Sequence, residues 1–297
     1  MQRSLWSKIR RQVLRNRNLI DKVPMLGLPL ARLFLSGDRI RHEDLPASPA
    51  WENGYASISE RNSEPFLKTM DHMERYVGAG PVGPNKYWEY PWVLSTLQLE
   101  PGLSVLDAGC GRSPIQFALG HLGCDVVGID PNEGVDWHGI DRSLARRFDC
   151  PIRYRREGME SISFPDQTFD RVCCVSVIEH CRAEPVSDDL AVPMNEADRD
   201  LQARMMKEML RVLKPGGLLV VTVDYAIARS SIEPAANPDV AHLIAATGLE
   251  PTGRRQGLPF PGEPNFDDLV LIRQGDVDIC NYMDVLQTSI GLTFRKP

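Results

Sequence analysis

The chain has 297 residues, of which 42% are hydrophobic and 25% are charged, and its formal net charge is −6. This composition is ordinary for a globular protein and excludes a long disordered or fibrous one. A domain that binds duplex nucleic acid usually carries net positive charge, so the acidic balance disfavours nucleic acid as a partner. No apolar run reaches the roughly 18 residues that a membrane-spanning helix needs.

The seven cysteines are odd in number and include no CxxC pair. A disulfide framework and a structural zinc site are therefore not expected, and no other metal-ligand spacing is evident. The N-terminal basic residues are not followed by the apolar stretch of a secretory signal. Together these features predict a cytoplasmic protein with reduced cysteines.

The first segment of the chain predicts a basic amphipathic helix over residues 1–17. Leu5, Ile9 and Val13 recur at intervals of four among arginines, which places them on one helical face. Two interpretations stay open for residues 1–35. They make a peripheral contact with an anionic membrane surface, or they pack on the rest of the chain or on a second subunit.

The remainder of the N-terminal part also reads as an extension. Residues 36–64 are rich in Pro, Ser, Asn and charge and predict a loop, whereas residues 65–77 predict a helix. Glycines and prolines follow at 78–84 and predict a linker. Residues 1–84 are therefore predicted to be an N-terminal extension.

From residue 85 onward, short β-branched runs alternate with helical segments. This alternation implies crossover connections, so residues 85–275 are predicted to form one doubly wound α/β domain with a mainly parallel sheet. The predicted strands are 104–107, 125–130, 152–155, 171–176, 218–223, 249–255 and 268–273. The predicted helices are 114–122, 141–148, 201–213 and 238–247. Residues 276–297 are assigned only to a C-terminal tail.

The most informative stretch is the glycine-rich turn after the strand predicted at 104–107. That strand ends in Asp107, and Gly109 and Gly111 follow it, which lets the backbone turn sharply and approach a ligand. Asp130 ends the next predicted strand, about 20 residues further on, where a carboxylate can accept both hydroxyls of a ribose. The carboxyl ends of parallel strands are where open α/β sheets bind ligands.

The turn has two other interpretations. The glycines can serve geometry alone, in which case the turn binds nothing. A nicotinamide or flavin site would need a third glycine three residues after Gly111, and Pro114 stands there instead. The turn also contains no lysine that would bind the phosphates of a nucleoside triphosphate.

Three stretches match the motifs of one family. The pattern hydrophobic-hydrophobic-Asp-x-Gly-x-Gly is matched by residues 105–111, Pro-Phe-x-Asp-x-x-Phe-Asp corresponds to residues 163–170, and Arg-Val-Leu-Lys-Pro-Gly-Gly stands at residues 211–217. Residues 103–223 thereby resemble class I S-adenosylmethionine-dependent methyltransferases of the small-molecule kind. The resemblance implies a Rossmann-like sheet of seven strands with an antiparallel last strand, and S-adenosylmethionine as the cofactor.

The resemblance also implies the cofactor-binding residues. The turn lines the methionine and ribose part, and Asp130 holds the ribose hydroxyls. The family usually places an Asp and a small residue at the adenine amine, where this chain has Gly158 and Met159. Glu157, Glu160 or the backbone of Met159 is the candidate there. The implied set is Asp107, Gly109, Cys110, Gly111, Asp130, Pro131, Met159, Glu160 and Ser176.

Methyl transfer to a hydroxyl needs alignment with the methyl carbon and a base for the acceptor proton. His180 follows the fourth predicted strand, and its unperturbed pKa suits that role. Asp224 ends the next strand, and the resemblance to some sugar O-methyltransferases implies a His180–Asp224 dyad. Two alternatives stay open: His180 only packs or closes the cofactor pocket, or Glu179 is the base.

Two segments are candidates for the acceptor site. The aromatic run at 87–92 either covers the cofactor and acceptor or packs a helix on the sheet. The long stretch at 181–200 is either a solvated loop or a lid for a cationic or polyhydroxylated acceptor. Its acids are Glu184, Asp188, Asp189, Glu196, Asp198 and Asp200.

The sequence predicts methyl transfer from S-adenosylmethionine to a small-molecule acceptor, with oxygen favoured. A sugar, a glycan precursor or a lipid-linked metabolite is the expected acceptor. One alternative is a nucleic acid methyltransferase, although the Asn/Asp-Pro-Pro-Tyr motif typical of amino-base enzymes is replaced here by residues 176–180. The other is a cofactor-binding scaffold without catalysis.

Overall fold

Short hydrophobic runs along the chain assemble into one sheet, which has eight strands in the part that the structure describes. The strands are β1 (Gly54–Tyr55), β2 (Ser104–Ala108), β3 (Asp125–Ile129), β4 (Arg153–Arg155), β5 (Phe169–Val175), β6 (Leu213–Arg229), β7 (Cys280–Tyr282) and β8 (Val285–Arg295). Their order is β1-β8-β6-β5-β2-β3-β4, with β7 paired to β8. Strands β2 to β6 pair in parallel, and β8 runs antiparallel to β6. The predicted doubly wound, mainly parallel sheet is confirmed.

The structure, a computed structural model, describes residues 39–47, 53–73, 83–111, 113–131, 150, 152–185, 192–229, 237–250, 257–273, 275–282 and 285–297. The helices predicted at 1–17 and 141–148 and most of the strand predicted at 249–255 lie outside these residues. None of the helices described here is both long enough and apolar enough to cross a membrane.

Helices surround the sheet as the pattern predicts. They are α1 (Ile58–Arg61), α2 (Glu64–Met73), α3 (Lys86–Thr96), α4 (Ile115–His121), α5 (Glu196–Val212), α6 (Val240–Thr247) and α7 (Asp268–Arg273), with short 3₁₀ turns at His42–Asp44 and Ile178–His180. Helix α5 begins at a capping box, in which Asn195 and Asp198 exchange hydrogen bonds, so the chain enters it five residues before the predicted start at 201.

Two hydrophobic cores lie on opposite faces of the sheet because successive strand side chains point to opposite faces. Val105 belongs to the core that contains Trp92 of α3, whereas its neighbour Leu106 belongs to the core that contains Met206 of α5. Both strand residues are fully buried. The near-continuous hydrophobic runs of the central strands follow from this two-sided burial.

The C-terminal part differs from the prediction. Residues 285–295 were expected in a tail, but β8 lies inside the sheet, between β6 and β1. The hydrophobic pattern of β8 is interrupted by Ser289, Gly291 and Thr293, all of which are buried. Their neighbours explain the burial: a Cβ on Gly291 would lie 2.5 Å from the ring of Trp92, and Ser289 hydrogen-bonds to Asp224.

Two further predictions near the edges of the domain are corrected. Residues 268–273 form helix α7 and not a strand, and the unit that packs together begins at residue 40 and not at 85. β1 pairs with β8, and it is only two residues long, so it leaves no periodic pattern in the sequence. The apolar run of 268–273 is too short for its period to separate helix from strand.

The Arg-Val-Leu-Lys-Pro-Gly-Gly stretch holds the domain together. The guanidinium of Arg211 donates to Glu208 and Asp166 at 2.7–2.8 Å, and to the carbonyls of Ile162 and Phe164 at 2.7 and 2.9 Å. One side chain thus joins the end of α5 to the loop before β5. Its role is structural, as the resemblance implies.

Candidate active site

The glycine-rich turn joins the carboxyl ends of β2 and β3. Gly109 and Gly111 have φ angles of 72° and 43°, in the left-handed region that favours glycine. The amides of Gly109 and Cys110 both donate to the carbonyl of Ile129 at 2.9 Å, and the amide of Gly111 donates to Oδ2 of Asp130 at 2.9 Å. The turn therefore fixes Asp130 at the strand end, half-buried and within reach of a ligand on the turn.

Asp107 is the buried acid of this turn. Its side chain is 2% exposed, and among the described residues Oδ2 has no hydrogen-bond partner. Burial raises the pKa of Asp107 to about 7, against a hydrogen bond from the Cys173 thiol at 3.7 Å to Oδ1. A buried carboxylate oxygen without a partner is costly, so it marks a place where a polar ligand group fits.

Residues 176–180, which follow β5, lie against the turn. A Cβ added to Gly109 would lie 2.5 Å from Cγ1 of Val177, so the two segments are in direct contact. Ser176 has a φ of 50°, a left-handed conformation that costs energy for a residue with a side chain. Its amide is held by the carbonyl and the hydroxyl of Thr222 at 3.0 and 3.2 Å. The strained serine is thereby fixed at the strand end.

A buried polar network extends from Ser176 to helix α3. Lys86 forms an ion pair with Glu89, which is fully buried, and Glu89 accepts a 2.5 Å hydrogen bond from Ser176. We call this set the Glu89 network; it comprises Asn85, Lys86, Glu89, Ser176, Asp224 and Ser289.

Asp224, at the edge of the site on β6, is the second acid of the Glu89 network. It accepts hydrogen bonds from Asn85 at 2.7 Å, from Ser289 at 3.1 Å and, over a longer distance of 3.4 Å, from Ser176. Burial, followed by repulsion from Glu89, raises the pKa of Asp224 to about 6. The network therefore holds two carboxylates against one ammonium group.

Lys86 and Glu89 stay charged in spite of their burial. Burial by itself would raise the pKa of Glu89, but attraction to Lys86 outweighs it and the net shift is downward. Burial would likewise lower the pKa of Lys86, and the charges of Glu89 and Asp224 raise it instead. An ion pair in this setting is retained because each partner compensates the desolvation of the other.

The His180–Asp224 dyad remains a prediction. The carboxylate of Asp224 has its hydrogen bonds with Asn85, Ser176 and Ser289, and His180 is exposed. His180 follows β5, whereas Asp224 lies within β6, which continues to Arg229 and does not end at 223 as predicted. The 3₁₀ turn at 178–180 directs the side chain next to His180 inward.

That inward side chain is Glu179, which is 5% exposed. Its Oε1 accepts a 2.9 Å hydrogen bond from the amide of Asp224, and its Oε2 is buried and, within the described residues, has no partner. Burial, followed by the effects of His180 and Asp224, brings the pKa of Glu179 to about 7. From the sequence, Glu179 was only the alternative to His180 as the base.

The candidates for the adenine contact lie beside β4 and β5. Met159 is buried against the thiol of Cys174 at 3.8 Å, and Glu160 is exposed, with its carboxylate folded over Gly158. Glu157 accepts a 3.3 Å hydrogen bond from the amide of Ser163 through Oε2, whereas its Oε1 is buried and unpartnered among the described residues. All three alternatives from the sequence remain open. Pro131 is exposed, directly after Asp130.

The segment at 181–200 is anchored at both ends. Asp198 is 2% exposed and accepts from the guanidinium of Arg182 at 3.0 Å and from the amide of Ala183 at 2.8 Å. Asp198 therefore has a structural role. Neither interpretation of the segment from the sequence, as a solvated loop or as a lid, assigned this role to it. Asp188 and Asp189 lie outside the described residues.

The aromatic run at 87–92 packs helix α3 on the sheet. Trp88 and Trp92 are 2% exposed and stack with their ring centroids 5.0 Å apart. Tyr90 faces the turn instead, where its hydroxyl accepts a 3.3 Å hydrogen bond from Ser113. Packing thus accounts for the tryptophans, and Tyr90 lies beside the glycine-rich turn.

Sequence reasoning missed Lys86, Glu89, Asn85 and Ser289. A signal was present, because Lys86 and Glu89 stand three residues apart within an aromatic helix. Charged residues on the buried side of a helix, among tryptophans, need a partner of opposite charge. For Ser289 the sequence offered no signal, since its strand had not been predicted.

Comparison with known proteins agrees with this geometry. A family model described as a methyltransferase domain matches residues 106–221. The match runs from the glycine-rich turn to the middle of β6. Together with the motifs and the sheet order, it shows that the chain carries a class I S-adenosylmethionine-dependent methyltransferase domain.

Similar proteins act on different acceptors. A 24-methylenesterol C-methyltransferase 2 from Oryza sativa is 30% identical over 185 residues, which are 61% of this chain and 42% of that protein. The human mitochondrial ubiquinone biosynthesis O-methyltransferase is 32% identical over 123 residues, 41% of this chain and 28% of that protein. The chain thus matches less than half of the length of either relative.

Among solved structures, a SAM-dependent methyltransferase from Aquifex aeolicus is 14% identical. The alignment covers 71% of this chain and 94% of that one, with a TM-score of 0.42.

Proposed function

We propose that this protein transfers the methyl group of S-adenosylmethionine to an oxygen of a small hydroxyl-bearing acceptor. The observation that carries the proposal is the presence of two acids at the carboxyl ends of the neighbouring strands β2 and β3. Asp130 is hydrogen-bonded to the glycine turn, and Asp107 presents a buried oxygen that has no partner among the described residues. Both acids lie at the carboxyl end of a parallel sheet, where such folds bind their ligands.

The residues of the turn fit S-adenosylmethionine. Asp130 would hold the ribose hydroxyls, and the free oxygen of Asp107 would accept from the methionine part. Glu157, Glu160 or the backbone of Met159 would hold the adenine amine. The bound cofactor supplies an electrophilic methyl group on a cationic sulfonium, and the acids around the turn offer charge complementarity to it.

The Glu89 network and Glu179 favour a polar acceptor. Ser176 and Glu179, which follow β5, meet Asp224 of β6 near Val177, which contacts Gly109. Carboxylates at such a place accept hydrogen bonds from hydroxyl groups. A sugar, a glycan precursor or a lipid-linked hydroxyl compound is the class that this chemistry suits. Of the two relatives named above, the human ubiquinone biosynthesis enzyme is an O-methyltransferase, which supports oxygen as the acceptor atom, whereas the rice enzyme is a sterol C-methyltransferase.

The proposal is tested by binding first and turnover second. Titration calorimetry should show S-adenosylmethionine binding with one site per chain. Tritiated S-adenosylmethionine should then label at least one member of a panel of sugars, nucleotide sugars, phenols and quinols, and label neither DNA nor RNA. Label recovered as an alkali-stable ether identifies the acceptor atom as oxygen.

Two other results would point elsewhere. Label that appears in nucleic acid would favour a nucleic acid methyltransferase, against the net charge of −6. Cofactor binding without transfer to any class of acceptor would favour a cofactor-binding scaffold. The role of His180 as a base stays a prediction from the sequence.

A further inference from the structure

Glu179 is a buried carboxylate with one oxygen fixed and one oxygen free. The amide of Asp224 donates to Oε1, which orients the side chain, while Oε2 has no partner within the described part of the chain. Glu179 follows β5 and stands two residues after Val177, whose side chain contacts Gly109 of the glycine-rich turn. A buried carboxylate oxygen without a partner lowers the stability of the fold.

We propose that Oε2 of Glu179 receives the proton that leaves the acceptor hydroxyl. The inference rests on the proposed methyl transfer and assigns the base to Glu179 in place of His180. The acceptor O–H bond breaks and a new O–H bond forms on Oε2, while the electron pair left on the acceptor oxygen forms the bond to the methyl carbon. The pair of the cleaved carbon–sulfur bond stays on sulfur, so a cation and a carboxylate become two neutral groups.

The surroundings of Glu179 suit this exchange of charge. The groups that act on it electrostatically are His180 in the same turn, Asp224 on β6, and the thiols of Cys174 and Cys181. Through Asp224 it is also coupled to the Glu89–Lys86 pair on α3. Burial brings the pKa of Glu179 to about 7, which is where a base is most effective at neutral pH.

Proton release on binding can test the inference without knowledge of the acceptor. A nearby sulfonium favours the ionised carboxylate, so S-adenosylmethionine should expel a proton from Glu179, whereas the uncharged thioether of S-adenosylhomocysteine should not. The amino group of each ligand titrates in the same way with the wild-type chain and with each variant, so its contribution cancels when a variant is compared with the wild type. Calorimetry in two buffers of different ionisation enthalpy counts the protons released by each ligand.

For the wild-type chain we expect Glu179 to contribute about half a proton at pH 7 to the difference between the two ligands, because a group with a pKa near 7 is half protonated there. Asp107, whose pKa is also about 7, contributes equally in the wild-type chain and in the Glu179 variant. Glu179→Gln should therefore lower the difference by about half a proton and still bind both ligands. His180→Gln should keep it. Glu100→Gln is the matched control: it removes the same charge from an exposed site before β2 and should match the wild-type chain.

The possible failures can be separated. A wild-type chain that does not bind S-adenosylmethionine overturns the proposed function and this inference with it. Binding with an unchanged proton difference in Glu179→Gln, or loss of it in His180→Gln, overturns this inference alone. If Glu179→Gln fails to fold, Asp224→Asn gives a second test. Removal of that neighbouring charge should move the maximum of the release to lower pH, and an unmoved maximum rejects Glu179 as its source.

Discussion

The amide of Gly111 donates a 2.9 Å hydrogen bond to the carboxylate of Asp130. The two residues lie on neighbouring strand ends, so the bond makes the cofactor turn and its acid a single unit. The bond thereby fixes one oxygen of the carboxylate against the glycine-rich turn.

Asp130→Ala should weaken the binding of S-adenosylmethionine by about 10- to 100-fold, because charge-assisted hydrogen bonds to the ribose contribute roughly 1.5–3 kcal/mol. Titration calorimetry measures the change directly. Asp125→Ala, on an exposed residue at the other end of β3, is the control and should bind normally. Unchanged affinity of a folded Asp130 variant would remove it as the ribose ligand.

The ion pair of the Glu89 network should be essential to stability. Lys86→Met leaves the carboxylate of Glu89 buried and unpaired, which should lower the free energy of unfolding by about 3–5 kcal/mol. The double variant with Glu89→Leu should recover part of this loss. Urea denaturation measures both. Arg41→Met, which breaks an exposed pair with Glu43, is the control and should change stability by less than about 1 kcal/mol; a similar loss there would contradict the argument.

The packing of α3 on β8 depends on a glycine. In Gly291→Ala the new Cβ would lie 2.5 Å from the ring of Trp92, so the variant should be destabilised by about 1–3 kcal/mol through overpacking. Gly275→Ala has no atom within 4 Å of its new Cβ and is the matched control. Thermal unfolding of both variants distinguishes a local clash from a general effect of losing glycine.

Stability should depend on pH through Asp224. Its pKa is raised from the ordinary 3.8 to about 6, so its contribution is fully present below the unfolded value and is lost as pH rises through about 6. Asp224→Asn lacks this loss. The stability of the wild-type chain relative to the variant should therefore fall between about pH 4 and pH 7. A constant difference in urea midpoint over this range would show that Asp224 titrates normally.

The membrane interpretation of residues 1–35 remains a prediction, since they lie outside the described residues. The full chain should co-sediment with vesicles that contain anionic lipid and should be released by salt, because surface electrostatics are screened. Deletion of residues 1–22 should abolish sedimentation and leave cofactor affinity unchanged. Equal sedimentation of the deletion variant would favour the packing interpretation.

The central domain could be predicted from the sequence because its signals are local. Strands β2, β3 and β5 and the middle of β6 are largely hydrophobic and buried, and the glycines at 109 and 111 permit a turn that other residues resist. The positions of Asp107 and Asp130 follow from those strands, since parallel strands bring their carboxyl ends to one edge.

The surroundings of Glu179, the proposed base, were decided only by tertiary structure. Whether Glu179 or His180 points inward depends on a single 3₁₀ turn, and the partners of Asp224 come from residues 85, 176 and 289. Strand β8 has no clear pattern because its small and polar residues are buried by Trp92 and Asp224 and not by their own sequence neighbours. A pairing between residues distant in the chain depends on how the strands of the whole sheet assemble, and no short stretch of sequence encodes that.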